Sequence, residues 1–179
     1  DEECIITVGV SEALDLILRA LLNPGEEVIY HEPCYVSYAP CIRMARAVPV
    51  PVETAEAAGF SLNADDIAAK ITPRTKVLLL NFPNNPTGAD LSYEQKRDVA
   101  RLAVERDLIV LTDEIYAELS YGTDYKSIAA FPGMKERTVL LHGFSKAFAM
   151  TGYRIGYACG PAYLVDAMMK IHQYTMLCA

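Results

Sequence analysis

Short apolar runs recur along this chain. Most are followed by a turn signal and then by a stretch with helical spacing. A short apolar run fits a buried strand, and apolar positions three and four apart fit one face of a helix. The runs at 4–8, 27–31, 47–52, 75–82, 108–111, 138–141 and 153–159 read as seven strands. The third carries Pro49 and Pro51, which places it at a sheet edge. Residues 12–22 read as a largely buried helix with Ser11 as N-cap, stopped by Asn23-Pro24-Gly25. Residues 32–38 form a loop that opens another helix, and 55–62 form a linker. Asn63 caps a short helix over 64–71, with Asp65 and Asp66 in its first turn. Ser92-Tyr93-Glu94-Gln95 is a capping box for a helix running to about Arg106. An irregular stretch spans 117–135, and a last helix runs from about Pro161 toward Cys178.

Strand and helix alternate, so the pattern predicts an α/β fold: three layers, α/β/α, around a mostly parallel seven-stranded sheet. The seventh strand follows the sixth after a short connection and is the one expected to run antiparallel. The 179 residues suffice for one domain with a sizeable core, and the 52% apolar content with mean hydropathy +0.15 describes a globular chain. A formal net charge of −7 argues against nucleic acid as the main partner. No apolar run approaches the length of a membrane span. Five scattered cysteines form no Cys-x-x-Cys pair, and His31, His142 and His172 are not spaced with them as zinc ligands. Free thiols in a reducing compartment are the expectation. The chain begins at Asp1 with strand residues almost at once and ends without a polar tail, as a piece of a longer protein would.

The chemistry-bearing residues cluster at predicted strand ends. Lys146 follows the sixth strand among small and apolar residues, where burial disfavours an ammonium and frees the amine as a Schiff-base nucleophile. Arg154, inside the seventh strand run, offers a planar fork for phosphate. An imine-forming lysine with a phosphate-binding arginine points to a phosphorylated aldehyde, pyridoxal 5'-phosphate. The strand–glycine–helix passage at Gly9-Val10-Ser11 leaves N–H groups for an anion. Tyr35 offers a stacking face, and Asn84-Asn85-Pro86-Thr87-Gly88 is a tight turn at the end of the fourth strand. Asp113 and Tyr116 stand just past the fifth. Taken singly, each has an ordinary structural reading: a solvated lysine, a packing tyrosine, turn-forming asparagines, an N-capping aspartate. Their order along one α/β chain is what is specific.

With Asn84-Asn85-Pro86-Thr87-Gly88, Asp113-Glu114-Ile115-Tyr116, and Ser145-Lys146 through Gly152-Tyr153-Arg154-Ile155-Gly156, the chain resembles the class I, aspartate-aminotransferase-like enzymes of pyridoxal phosphate fold type I. The resemblance covers essentially the whole chain. It implies a Schiff base on Lys146, which also shuttles the α-proton. It implies that Asp113 pairs with the protonated ring nitrogen, that Asn85 and Tyr116 bond the ring oxygen, and that Tyr35 stacks on the ring. Val10, Ser11, Arg154 and, with lower rank, Ser145 would hold the phosphate. Gly143 stands where many relatives have a phosphate-holding serine, and His142 where they often have asparagine.

Members of this family are about twice as long, so the resemblance also implies that residues 1–179 are the cofactor-binding large domain. The amino-terminal segment and the small carboxy-terminal domain would lie outside it. The implied activity is amino-group transfer from an L-amino acid to a 2-oxo acid, in a cytoplasmic homodimer. Other chemistries on the same cofactor site also fit these motifs: a carbon–sulfur β-lyase, an aminocyclopropane carboxylate synthase, or the sensor domain of a transcription regulator.

Overall fold

The computed structural model describes residues 2–121 and 125–175. Seven strands form one sheet: β1 (Cys4–Thr7), β2 (Glu27–Glu32), β3 (Val48–Glu53), β4 (Thr75–Asn81), β5 (Ile109–Asp113), β6 (Thr138–Gly143) and β7 (Gly156–Cys159). Five helices accompany them: α1 (Gly9–Leu21), α2 (Tyr38–Met44), α3 (Ala64–Ala68), α4 (Tyr93–Glu105) and α5 (Ala162–Thr175). The strand order is β1-β7-β6-β5-β4-β2-β3, and only β7 runs against its neighbours. The proline-bearing β3 is an edge strand, as its sequence requires.

Both faces of the sheet are covered. Val77 and Leu79 of β4 join α1, α2 and α5 in one core, while Leu78 and Leu80 join α3 and α4 in the other. These four side chains are at most 3% exposed. Each stabilises the fold by roughly 1.5–3 kcal/mol through removal from water. That two-sided burial is why β4 reads as a continuous apolar run rather than an alternating one. Helix α4 opens with the predicted capping box: Ser92 Oγ accepts from the Gln95 N–H, and Gln95 Oε1 accepts from the Ser92 N–H.

Several local expectations are corrected. Helix α1 starts at Gly9, so Ser11 lies inside its first turn and is not the N-cap. Gly9 takes φ +69°, which turns the chain into the helix three residues early. The carboxylate of Glu12 accepts from the Val8 N–H at 2.5 Å, taking over the capping role. Arg154 is not in a strand: it has φ +54° between a 3-10 turn (Thr151–Tyr153) and β7. Helix α3 stops at Ala68, and Asn63 sits at its N-cap with its amide turned to Asp66 rather than to a backbone N–H. Asp113 is the last residue of β5, not a helix cap. The stretch after it contains the 3-10 turns Ala117–Leu119 and Ile128–Ala130. The expected extension of α5 toward Cys178 lies outside the described residues.

Three chain segments meet where β7 passes α1. A Cβ on Gly156 would stand 2.6 Å from Gly9 C and 2.7 Å from Val10 N, against backbone that cannot yield. Gly156→Ala is therefore expected to destabilise by upwards of ~2 kcal/mol through overpacking. Gly25→Ala meets no neighbour and carries only the strain of φ +86°, about 1 kcal/mol. Urea unfolding of the two variants measures the difference, and equal midpoints would refute the close-approach argument.

Candidate active site

One edge of the sheet gathers the candidate residues. The carboxyl ends of β1, β2, β4, β5 and β6 and the start of β7 border a cavity of about 270 Å³. Its lining includes Val10, Ser11, Tyr35, Asn85, Asp113, Tyr116, Ser145, Lys146 and Arg154, every residue the sequence nominated. Small-molecule pockets run to about 300–1,000 Å³, so this one suits a compact ligand.

Asp113, Tyr38 and Asn81 form the buried polar part of the lining. Asp113 is 6% exposed. Its Oδ2 accepts from the Tyr38 hydroxyl at 2.8 Å and its Oδ1 from the Ile115 N–H at 3.2 Å. Asn81 holds two neighbours in place. Its Nδ2 donates to the Asp113 carbonyl at 2.9 Å, and its Oδ1 accepts from the Asn85 N–H at 2.9 Å. The Asn81 N–H in turn donates to His31 Nε2 at 3.2 Å. Burial pushes the His31 pKa down to about 4, so the ring is neutral and able to accept. Tyr38 and Asn81 both line the cavity, and the sequence reading gave neither a role. Asn81 had one available signal: it is a polar residue closing an apolar strand run.

Another part of the lining is cationic and rich in N–H groups. The first turn of α1 carries Val10 and Ser11, with free amides at its start. The Arg154 guanidinium lies over Gly9, where an added Cβ would stand 3.1 Å from Arg154 Cζ. Arg154 donates to the Thr151 carbonyl at 3.1 Å and lies 3.5 Å from Ser145 Oγ. Its left-handed backbone, rather than a strand, is what turns the side chain back toward α1. A side chain at Gly143 would be tightly placed: a Cβ there would be 3.0 Å from both Gly156 Cα and the Ile155 carbonyl oxygen.

Lys146 lies three residues past β6, and its Nζ is 5.7 Å from the Tyr116 ring centroid. The expected burial of Lys146 is not observed. The side chain is exposed, so this chain does not supply the desolvation on which the sequence reading relied. His142 is buried, stacks on Tyr157 at 5.4 Å and does not line the cavity. Its Nδ1 accepts from the Gly143 N–H at 2.7 Å, which gives it a packing role.

The family profile for aminotransferase class I and II matches residues 1–178. The chain belongs to that family. It is 54% identical over its whole length to the YugH protein of Bacillus subtilis (strain 168), and 44% identical to an aspartate aminotransferase of Musicola paradisiaca. It spans 46% and 45% of those proteins, so it covers about half the length of the relatives it matches. Among solved structures, Thermus thermophilus aspartate aminotransferase superposes with a TM-score of 0.94 at 45% identity. That match covers 97% of this chain and 47% of the other.

In this class I and II aminotransferase chain, burial raises the Asp113 pKa from 3.8 to about 6, against the two hydrogen bonds that lower it. The folded state therefore holds the Asp113 proton more tightly than the unfolded state does. Stability contributed by the protonated form is full below about pH 4 and is lost as pH rises through about 6. The difference is about 3 kcal/mol at ~1.36 kcal/mol per pH unit. In ligand-free protein, Asp113→Asn should remove this slope. Urea unfolding should show the variant gaining on the parent between pH 4 and pH 7, and a parallel pH profile for both would refute the assignment.

Proposed function

We propose that this chain is the cofactor-binding large domain of a pyridoxal-phosphate-dependent aminotransferase, which moves an amino group from an L-amino acid to a 2-oxo acid. The observation that carries the reading is the polarity of one cavity. Its lining combines a buried carboxylate with unfilled lone pairs, an exposed arginine over a helix start and an exposed lysine amine. A carboxylate has about four acceptor sites, and two of those on Asp113 are used. No cation pairs with it among the described residues. A protonated ring nitrogen is the partner this carboxylate would take, and a dianionic phosphate suits the arginine and the helix start.

When bound, pyridoxal phosphate supplies an aldehyde that condenses with amines and a ring that draws electrons from the attached carbon. The residues of this chain would do the rest. Asp113 holds a proton at the ring nitrogen, with Tyr38 and the Ile115 N–H fixing its carboxylate. The Tyr116 hydroxyl and the Asn85 amide bond the ring oxygen. Tyr35, which meets Tyr38 edge-on at 5.7 Å, offers a flat face to the ring. Val10, Ser11, Ser145 and Arg154 bind the phosphate. Lys146 binds the aldehyde carbon and moves the proton at the substrate α-carbon.

Lys146, Ser11 and Arg154 are all exposed, so water exclusion falls to chain beyond these residues. The reading therefore includes a longer, homodimeric, cytoplasmic parent acting in amino acid metabolism. No helix among the described residues is long and apolar enough to cross a membrane.

Adding pyridoxal phosphate, reducing with borohydride and mapping peptides tests the site. The reduced cofactor is expected on Lys146. Lys146→Ala should lose the adduct while keeping its circular dichroism spectrum, because Lys146 is exposed and anchors no core. An adduct on another lysine would sink the assignment. In the full-length protein, Asp113→Asn should keep the Lys146 adduct yet lower kcat on the order of 100-fold or more. Near-normal turnover would remove Asp113 from its role.

A further inference from the structure

Strand β1 is the edge of the sheet and pairs antiparallel with β7, with Cys4 directly opposite Cys159. The Gly160 N–H donates to the Glu3 carbonyl at 3.0 Å. In this register residues 3 and 160 face each other, so theirs is a hydrogen-bonded pair. Antiparallel pairs alternate, which makes the next one, Cys4 and Cys159, non-hydrogen-bonded. Cα atoms at such a pair lie roughly 4.5 Å apart, with side chains closest. That falls within the Cα separation of about 4.4–6.8 Å that a disulfide accepts.

Both thiols are free and share one face of the sheet; Cys4 is exposed and Cys159 half-buried, while Ile5 between the pairs points into the core. Cys159 is pushed up to about 12, by burial first and then by the adjacent Cys4 thiol. It therefore remains a protonated neighbour of the more accessible Cys4. Among the other described cysteines, Cys34 donates to the Tyr35 carbonyl from a loop, and Cys41 sits in α2. Neither has a cysteine opposite it.

We propose that Cys4 and Cys159 form a reversible redox pair, closing a β1–β7 cross-strand disulfide when a small-molecule disulfide oxidises them. The Cys4 thiolate attacks one sulfur of the oxidant, whose S–S bond breaks and releases one small thiolate. The Cys159 sulfur then attacks Cys4 in the mixed disulfide, giving up its proton to solvent, and the second small thiol leaves. Two protein thiols lose two electrons, and one small disulfide becomes two thiols.

The bond would sit three register pairs from Thr7 and Gly156. Thr7 leads into Gly9 and the start of α1, and Gly156 follows Arg154 by two residues. Closure therefore staples together the two strands that carry the cationic end of the cavity.

The test treats the folded, full-length polypeptide containing this chain with oxidised glutathione, then alkylates, digests and weighs the peptides without reduction. The expected product is a Cys4–Cys159 cross-linked peptide two hydrogens lighter than its parts, restored by dithiothreitol, with Cys34 and Cys41 still alkylatable. Cys159→Ser should stop at a glutathione adduct on Cys4. The oxidised form should also exchange its β1 amide hydrogens at least tenfold more slowly. Wild-type protein that keeps glutathione on Cys4 without cross-linking, or in which neither cysteine reacts, overturns the proposal. A cross-link with unchanged exchange overturns the stapling.

Discussion

The contact on which the site depends is the crossing of β7 over the start of α1, made possible by the absence of side chains on Gly9, Gly143 and Gly156. Gly156 packs against the backbone of Gly9 and Val10, and Gly143 packs against Gly156 and the Ile155 carbonyl. Nothing larger fits without moving main chain. The crossing brings Arg154 over the N–H groups of α1, although the two are far apart in sequence. It also leaves little room for a side chain at position 143. The space such a side chain would occupy is taken by Gly156 and the Ile155 carbonyl, in the residues that follow Arg154.

The other end of the cavity is held by a buried polar bridge. Asn81 closes β4 at 1% exposure, and all its polar contacts run to neighbouring strand ends and turns. A buried amide is costly unless satisfied, and here its satisfaction fixes the relative positions of Asp113 and Asn85. His31 completes the chain of contacts as a neutral acceptor, stacked on Phe82 at 4.5 Å. The strand ends are thereby tied to one another as well as to the sheet, which is the rigidity a preorganised site requires.

The architecture was legible in the sequence because its determinants are local. Seven apolar runs became seven strands, Pro49 and Pro51 marked an edge, and Ser92 with Gln95 capped α4. The errors fell where distant contacts override local signals. Ser11 has the chemistry of an N-cap, but Gly9 and the Glu12 carboxylate begin the helix sooner. Arg154 sits in an apolar run that reads as strand, yet the crossing at Gly156 holds it in a left-handed turn. Tyr38 escaped notice because its partner, Asp113, lies 75 residues away. The nominated residues do surround one cavity: most follow the carboxyl ends of parallel strands, which the topology collects on one edge, and Arg154 joins them just before the antiparallel β7.

Exposure divides the site in a way that follows from its energetics. Asp113, Asn81 and Tyr38 are buried, while Lys146, Ser11 and Arg154 are open to solvent. A buried carboxylate without a cation destabilises the fold at neutral pH, and Asp113 carries about 3 kcal/mol of that strain. A cation placed against its free lone pairs would relieve the strain, and part of its binding energy would come from relief already stored in the fold. The exposed lysine poses the opposite problem. Its side chain stands open to water in this chain. The buried floor can thus select and orient a ligand with residues of this chain alone. The role proposed for Lys146 would gain from a cover that excludes water, which is where the remaining half of a longer polypeptide would act.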